Sequence, residues 1–183
     1  DFSPAEYESR MVMTGTGVEG TEPIAPELEG VVVGKVLTCR DHENSDHLHV
    51  CTVDVGEGEP LQIVCGAPNV KEGILVPVAK IGAKLPGGIV IKKGKLRGVE
   101  SQGMLCSGME LGVSEDMYPG AGYNGLLLLP DDAETGANVK PILGLDDWLF
   151  DIAITANRPD CQSIFGIARE VAAVLEKPLR MPA

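Results

Sequence analysis

The amino-acid sequence predicts a mainly β protein with flanking α-helices, in which a closed β-barrel is inserted into a small α+β module. Three observations carry this prediction. The 183 residues include 23 Gly and 13 Pro, a composition that favours short strands and turns over long helices. The middle of the chain alternates short apolar runs with turns about every ten residues, which is typical of a closed barrel. Helical patterns stand out towards the two ends.

The first predicted element is a helix that begins at Pro4. Ser3 can cap its amino end, Pro4 suits the first helical position, and Glu6 completes a capping box. Gly15 offers a stop, because glycine readily takes the left-handed conformation that ends many helices. An acidic, turn-rich stretch is predicted to follow the helix, through residues 21–26.

Strands are predicted across the centre of the chain, at residues 31–39, 47–55, 61–65, 75–81, 89–92 and 104–107. In the second of them the apolar alternation changes phase between Val50 and Val53, which predicts a β-bulge there. Residues 118–125 contain three glycines and a proline, so we expect a flexible loop before the apolar run at 126–129.

The end of the chain returns to a mixed α and β pattern. Apolar residues alternate from Trp148 to Thr155, which predicts a half-buried strand. A turn at Asn157–Asp160 follows, with Asp160 as the expected N-cap of a helix that runs to Glu176. We therefore predict two domains: a split α+β module formed by residues 1–29 and 147–183, and a barrel formed by residues 30–146.

Charge and composition exclude several classes of function. The formal net charge of −12 argues against a protein that coats nucleic acid through bulk positive charge. Residues 80–97 are the local exception, since they hold six basic side chains and no acidic one. No Phe, Tyr or Trp occurs from Gly30 to Met117, so any RNA bound there would be held through its backbone and shape.

No apolar run is long enough for a membrane span, and five cysteines without repeated spacing favour a reduced, cytoplasmic setting over a disulfide framework. The sequence gives little support for a catalytic site or a metal site either. Three His and two Cys lie between Cys39 and Cys51, but their spacing differs from that of zinc-finger ligands. The strand cysteines are typical of small core residues rather than nucleophiles, and no phosphate-binding glycine loop opens a helix. We predict neither a catalytic residue nor a metal ligand.

Five segments of the sequence together form a family pattern: His42–Cys51, Ile63–Val70, Val78–Pro86, Leu96–Ser107 and Glu110–Gly112. They resemble the OB-fold tRNA-binding domain shared by several tRNA synthetases and free-standing tRNA-binding proteins. The resemblance covers roughly residues 30–112 and implies an OB-fold barrel. His42 fills a position where the family commonly has His, whereas Glu43 stands where the family usually has Pro.

The flanks are similar to a narrower group. Met11–Gly20 and Ile154–Ala172 resemble the segments around this domain in the beta subunit of bacterial phenylalanine–tRNA ligase. The resemblance implies a fragment of a parent enzyme that attaches phenylalanine to its tRNA with ATP and Mg²⁺ as an α₂β₂ assembly with an alpha subunit. The fragment itself is expected to be inactive and cytoplasmic, to hold no cofactor, and to contact phenylalanine-specific tRNA but neither DNA nor membrane.

Ten side chains are candidate tRNA contacts. The basic run supplies the candidate phosphate contacts Lys80, Lys84, Lys92, Lys93, Lys95 and Arg97. Two cations near the first barrel strand, Lys35 and Arg40, extend the surface. Two polar residues, Asn69 and Ser101, are candidate donors to sugar or phosphate oxygens. Two alternatives remain open. One is a structural or protein-interaction module without RNA contact, and the other is a free-standing tRNA-binding chaperone, for which residues 157–172 would be superfluous.

Overall fold

The fold is described by a computed structural model, which covers residues 2–181. Its elements in chain order are α1 (Pro4–Met13), β1 (Gly17–Pro23), β2 (Glu29–Asp41), β3 (His49–Asp54), β4 (Leu61–Cys65), β5 (Leu75–Leu85), β6 (Ile89–Val90), β7 (Gly94–Leu96), β8 (Val99–Ser101), β9 (Gly103–Leu105), α2 (Val139–Ile142), β10 (Trp148–Ala153) and α3 (Ile164–Val174), with a 3₁₀ turn at Pro159–Gln162 before α3. The predicted mainly β chain with flanking helices is confirmed. None of the helices within residues 2–181 combines the length and hydrophobicity that crossing a bilayer requires.

The chain divides into two compact units. One is Ala25–Asp146, and the other is made of the segments before and after it. The first boundary therefore lies between residues 24 and 25, whereas the sequence-based division puts it between 29 and 30.

The split unit pairs strands that are far apart in sequence. β1 and β10 form a two-stranded antiparallel sheet, with Thr21 opposite Phe150. The prediction of a turn-rich stretch through residues 21–23 was wrong, because the hydrogen-bonding partner that makes this segment a strand lies more than a hundred residues away. The core beside this sheet contains Tyr7, Met11 and Leu175, and the Tyr7 ring lies 4.3 Å from that of Phe150, centroid to centroid.

Both helices of the split unit begin at a serine. The Ser3 hydroxyl accepts the backbone N–H of Glu6 at 3.2 Å, as the sequence predicts. At α3 the prediction was wrong: Ser163, not Asp160, is the N-cap, and its hydroxyl accepts the N–H of Gly166 at 3.0 Å. Asp160 lies inside the preceding 3₁₀ turn, where its carboxylate binds an arginine instead.

The central unit is a six-stranded antiparallel sheet that curls into a nearly closed barrel. The strand order is β4-β3-β2-β5-β6, and β9 also pairs with β5. The Gln102 N–H donates to the Gln62 carbonyl at 2.8 Å, which brings the start of β9 beside β4 and nearly closes the circle. The core consists of aliphatic and cysteine side chains, among them Val36, Cys51 and Ile63. This architecture is consistent with an OB-type barrel.

The β-bulge lies in β2 rather than in β3. Val36 pairs with Val53 and Thr38 with Thr52, so β2 carries one extra residue between these pairs, while β3 and β4 stay in continuous register. The prediction of a bulge in β3 was therefore wrong. The change of phase has another cause, since Val50 is buried although it faces away from the core residues Cys51 and Val53.

A small hairpin, missing from the sequence-based prediction, stands outside the barrel sheet. β7 and β8 pair only with each other, and their two-residue loop is Arg97-Gly98. Both loop residues have positive φ, 45° and 91°, as a type I′ hairpin turn requires. The left-handed backbone is unusual for an arginine. Arg97 lies at the hairpin tip because it is the first residue of this loop.

Candidate nucleic-acid interface

The candidate interface centres on four cations that lie on or beside the β7–β8 hairpin. We call Lys92, Lys93, Lys95 and Arg97 the hairpin cation group; all four residues are exposed. Lys92 and Lys93 precede β7, Lys95 lies within it, and Arg97 occupies the tip. Positive side chains collected on one short hairpin give the local positive potential that phosphate binding needs.

Three of the predicted phosphate-binding lysines form ion pairs. The ammonium groups of Lys80, Lys84 and Lys93 each lie 2.7 Å from a carboxylate oxygen, of Glu57, Glu29 and Glu100 respectively. Lys84 lowers the pKa of the Glu29 carboxyl through its hydrogen bond and charge. Ion pairs at exposed positions contribute only about 0–1 kcal/mol, so a phosphate can replace the carboxylate at small cost.

The remaining cations of the group have no such partner. Within residues 2–181, no carboxylate lies within 4.0 Å of Lys92, Lys95 or Arg97. The Arg97 guanidinium makes one long hydrogen bond, to the Asn44 carbonyl at 3.4 Å, and keeps its other donors. The hairpin cation group is thus partly neutralised by a single acid, Glu100.

The structure treats the two cations of β2 differently. Arg40 lies two residues before His42, whose ring bonds to the Leu96 carbonyl of the hairpin. Lys35 lies five residues earlier on the strand, opposite Asp54 and Leu75. At about 3.3 Å per residue the two cations are roughly 16 Å apart along β2, which separates Lys35 from the group.

Asn69 and Ser101, the two predicted polar contacts, hold the barrel unit together. The Asn69 amide accepts the N–H of Leu126 at 2.8 Å and donates to its carbonyl at 2.9 Å, so it pins the loop that precedes residue 126. Ser101 is 4% exposed; its hydroxyl accepts the Val64 N–H and donates to the Gly103 carbonyl, each at 3.0 Å. Sequence alone does not reveal these partners, and we leave both residues out of the interface.

The His and Cys side chains of residues 39–51 form no cluster that is placed to hold a metal ion. His42 is buried and hydrogen-bonded to backbone, and His49 pairs with the Asp41 carboxylate at 3.2 Å. The Cys39 and Cys51 sulfurs lie 3.8 Å apart on neighbouring strands. Across the part of the chain that the structure describes, no group of three or more His, Cys, Asp or Glu is placed to hold a metal ion.

The cysteines are poorly suited to nucleophilic chemistry. All five are free thiols, and Cys51, Cys65 and Cys106 are buried. Burial raises the pKa of each of these thiols, that of Cys106 to about 12. A catalytic thiol needs the opposite shift, because the thiolate is the nucleophile.

A second polar cluster, in the split unit, is an ion-pair network. The Arg158 guanidinium binds the Glu170 carboxylate at 2.7 and 3.2 Å and that of Asp160 at 3.1 and 3.2 Å. Hydrogen bonding to Arg158 lowers the pKa of Asp160 to about 2. An arginine that bridges the 3₁₀ turn and α3 explains this cluster structurally.

Two exposed side chains of the central unit escaped the sequence-based prediction. Lys71 is exposed in the loop that reaches the end of β2, where the adjacent Glu72 carboxylate accepts the Cys39 N–H. Tyr123 is 57% exposed and lines a cavity of about 420 Å³ together with Asn69. Tyr123 is therefore an exposed aromatic ring of the central unit, in a loop that lies beyond the ring-free stretch; Tyr118, in the same loop, is only half-buried.

The chain is similar in sequence to known proteins. The family model described as "Putative tRNA binding domain" matches residues 31–138. The phenylalanine–tRNA ligase beta subunit of Bordetella parapertussis is 51% identical over 178 residues, which are 97% of this chain and 21% of that protein. That of Syntrophus aciditrophicus is 46% identical over 182 residues, 100% of this chain and 22% of that protein.

The chain thus spans about a fifth of the length of these curated relatives. Among solved structures, a MetRS related protein from Pyrococcus horikoshii superposes with a TM-score of 0.41 at 27% identity, over 58% of this chain and 85% of that one. The family match covers more than half of the residues, including most of β2, all of β3 to β9 and the hairpin cation group. The chain therefore belongs to the tRNA-binding domain family.

Proposed function

We propose that this chain contacts tRNA through the hairpin cation group and does so as part of a phenylalanine–tRNA ligase beta subunit. The observation that carries the proposal is the collection of four exposed cations on or beside one hairpin of a tRNA-binding domain, only one of them in an ion pair. Arg40 adjoins this surface, and Lys80 and Lys84 contribute once phosphate displaces their carboxylate partners.

The contacts would be made mainly with the RNA backbone. Lysine and arginine side chains bind phosphate oxygens, and each such contact releases counterions, so affinity falls steeply as salt concentration rises. Tyr123 is a ring on which a base could stack, but the hairpin itself offers none. The expected binding is therefore sensitive to RNA shape and salt rather than to base sequence.

The parent assembly would attach phenylalanine to its tRNA with ATP and Mg²⁺, as α₂β₂ with an alpha subunit, in the cytoplasm. The names of the relatives support this part of the proposal. The residues described here do not fit a metal–nucleotide site, because they include no suitable group of ligating side chains. We therefore assign no catalytic step to them, and the chain on its own is expected to be inactive.

A protein-interaction role is the second candidate. Residues 98–139 contain seven acidic and no basic side chains, and they expose Met109 and Tyr123. RNA would be repelled by this part of the central unit, whereas a basic protein surface would not. The RNA-binding role and the protein-interaction role can both hold only if the hairpin cation group binds RNA despite the acidic side chains of residues 98–139.

A low-salt titration of phenylalanine-specific tRNA tests the proposal. The triple variant Lys92→Glu, Lys93→Glu, Lys95→Glu should lose most of the affinity. A control triple, Lys140→Glu, Lys177→Glu, Arg180→Glu, changes the net charge equally but lies outside the candidate interface, and should bind nearly as well as the original chain. Equal losses in both triples would mean that bulk charge alone matters, and no binding by the original chain would leave the protein-interaction role.

A further inference from the structure

His42 is a buried histidine with both ring nitrogens in use. It is 3% exposed and stands directly after β2. Nδ1 accepts the backbone N–H of Asn44 at 3.0 Å, and Nε2 lies 3.2 Å from the Leu96 carbonyl oxygen. A backbone amide can only donate, so Nδ1 is the acceptor, and Nε2 must carry the proton that it gives to Leu96.

These bonds connect the loop after β2 to the hairpin tip. Leu96 is the last residue of β7 and immediately precedes Arg97, whose guanidinium donates to the Asn44 carbonyl at 3.4 Å. The short loop thus holds the hairpin at two adjacent points, once through the His42 ring and once through the Asn44 backbone.

The hairpin needs such tethers because it pairs with no other strand. A two-stranded hairpin is marginally stable by itself in water. Its other end is fastened to β4, where the Ser101 hydroxyl binds the Val64 N–H and the Gln62 side chain donates to the Glu100 carbonyl at 2.8 Å. Nothing comparable fastens the tip within residues 2–181 apart from the contacts of the loop after β2.

We propose that His42 is a positioning residue for tRNA binding: it fixes the hairpin tip so that Arg97 and Lys95 present their charges together. His42 would not touch RNA, since its ring is buried and both nitrogens are occupied. The inference rests on the proposed function of the hairpin cation group. Without the His42 bond the tip would have to be ordered when RNA binds, and that ordering would reduce the affinity.

Coupling between His42 and Arg97 distinguishes positioning from general stabilisation. Arg97→Gln should weaken tRNA binding about 5- to 8-fold at 0.1 M salt and reduce the slope of log affinity against log salt by about 0.7–0.9, the values for one phosphate contact. His42→Leu should do at least as much. The double variant should bind no more weakly than His42→Leu, because the second change removes a contact that is already lost.

Matched variants complete the test. His47→Leu alters an exposed histidine in the same loop and should bind like the original chain. His42→Gln retains a donor and an acceptor, and should recover part of the affinity. Amide hydrogen exchange provides a readout without RNA: in His42→Leu it should accelerate across residues 94–101 while β2 to β5 stay protected.

The results separate the two proposals. If Arg97→Gln weakens binding but His42→Leu does not, or if their effects multiply, the positioning role is overturned and the interface survives. If the original chain binds no tRNA but exchange at the hairpin rises in His42→Leu, the interface fails and the tether alone stands. Unchanged exchange in both His42 variants would refute the tether itself.

Discussion

Replacement of Ser101 by alanine should destabilise the central unit without changing its affinity for tRNA. The hydroxyl is buried and satisfies the Val64 N–H and the Gly103 carbonyl, each at 3.0 Å. Ser101→Ala leaves both groups without this partner, and an unsatisfied buried polar group costs about 1–3 kcal/mol. For the two groups together the lower end of this range is about 2 kcal/mol. That loss corresponds to a fall in Tm of about 8 °C for a unit of this size.

Thermal unfolding and tRNA titration, performed on the same samples, check this expectation. Ser114→Ala is the matched control, because Ser114 is an exposed serine of the same unit. We expect Ser101→Ala to melt earlier than Ser114→Ala. At a temperature where both are folded it should bind tRNA with the original affinity, because the bond between the Gln62 side chain and the Glu100 carbonyl still fastens that end of the hairpin to β4. An unchanged Tm together with weaker tRNA binding would show that the hydroxyl serves RNA, and would refute the structural role given to it here.

Three further predictions concern single positions. Gly166→Ala should reduce the stability of the split unit by about 2 kcal/mol, because the added Cβ would collide with the Asp160 carbonyl oxygen and overpack the turn. The fluorescence of Trp148, the only tryptophan, reports this loss in a denaturant titration. Equal unfolding midpoints in the variant and the original chain would contradict the prediction. The pKa of Asp160 is lowered to about 2, so its contribution to stability is complete above its ordinary pKa near 4 and lost as the pH falls towards 2. Asp160→Asn should therefore flatten the loss of stability between about pH 4 and pH 2, and a variant that follows the original curve would argue against the pairing. Glu43→Gln removes an exposed acid from the loop that contacts Arg97 and should raise tRNA affinity about 2-fold, whereas unchanged or weaker binding would place that acid away from the bound RNA.

Local patterns predicted those elements whose signals are local. The Ser3 cap, the apolar run of β4 and the alternation of β10 each lie within a few residues, and each element is found where the pattern puts it. β1 was missed because its partner strand is distant in sequence. The bulge was assigned to the wrong strand because burial on two faces and an inserted residue produce the same change of phase.

At the interface, the sequence could not predict which residues each candidate side chain contacts. The basic run at 80–97 is visible in the sequence, but the carboxylates that neutralise Lys80 and Lys84 come from residues 57 and 29. The role of Ser101 depends on β4, and that of His42 on a hairpin whose only local signal is the glycine after Arg97. These contacts join segments that are 23–55 residues apart, a range over which a sequence pattern carries no signal.

The most direct test of the hairpin cation group is the salt dependence of tRNA affinity for the whole chain. Three to four phosphate contacts predict a slope of log affinity against log salt between about −2 and −4. In the variant Lys92→Gln, Lys95→Gln, Arg97→Gln the slope should become shallower by about 2–3, the value for the three contacts that are removed. A flat salt dependence, or the same slope in both proteins, would contradict the assignment of tRNA binding to this hairpin.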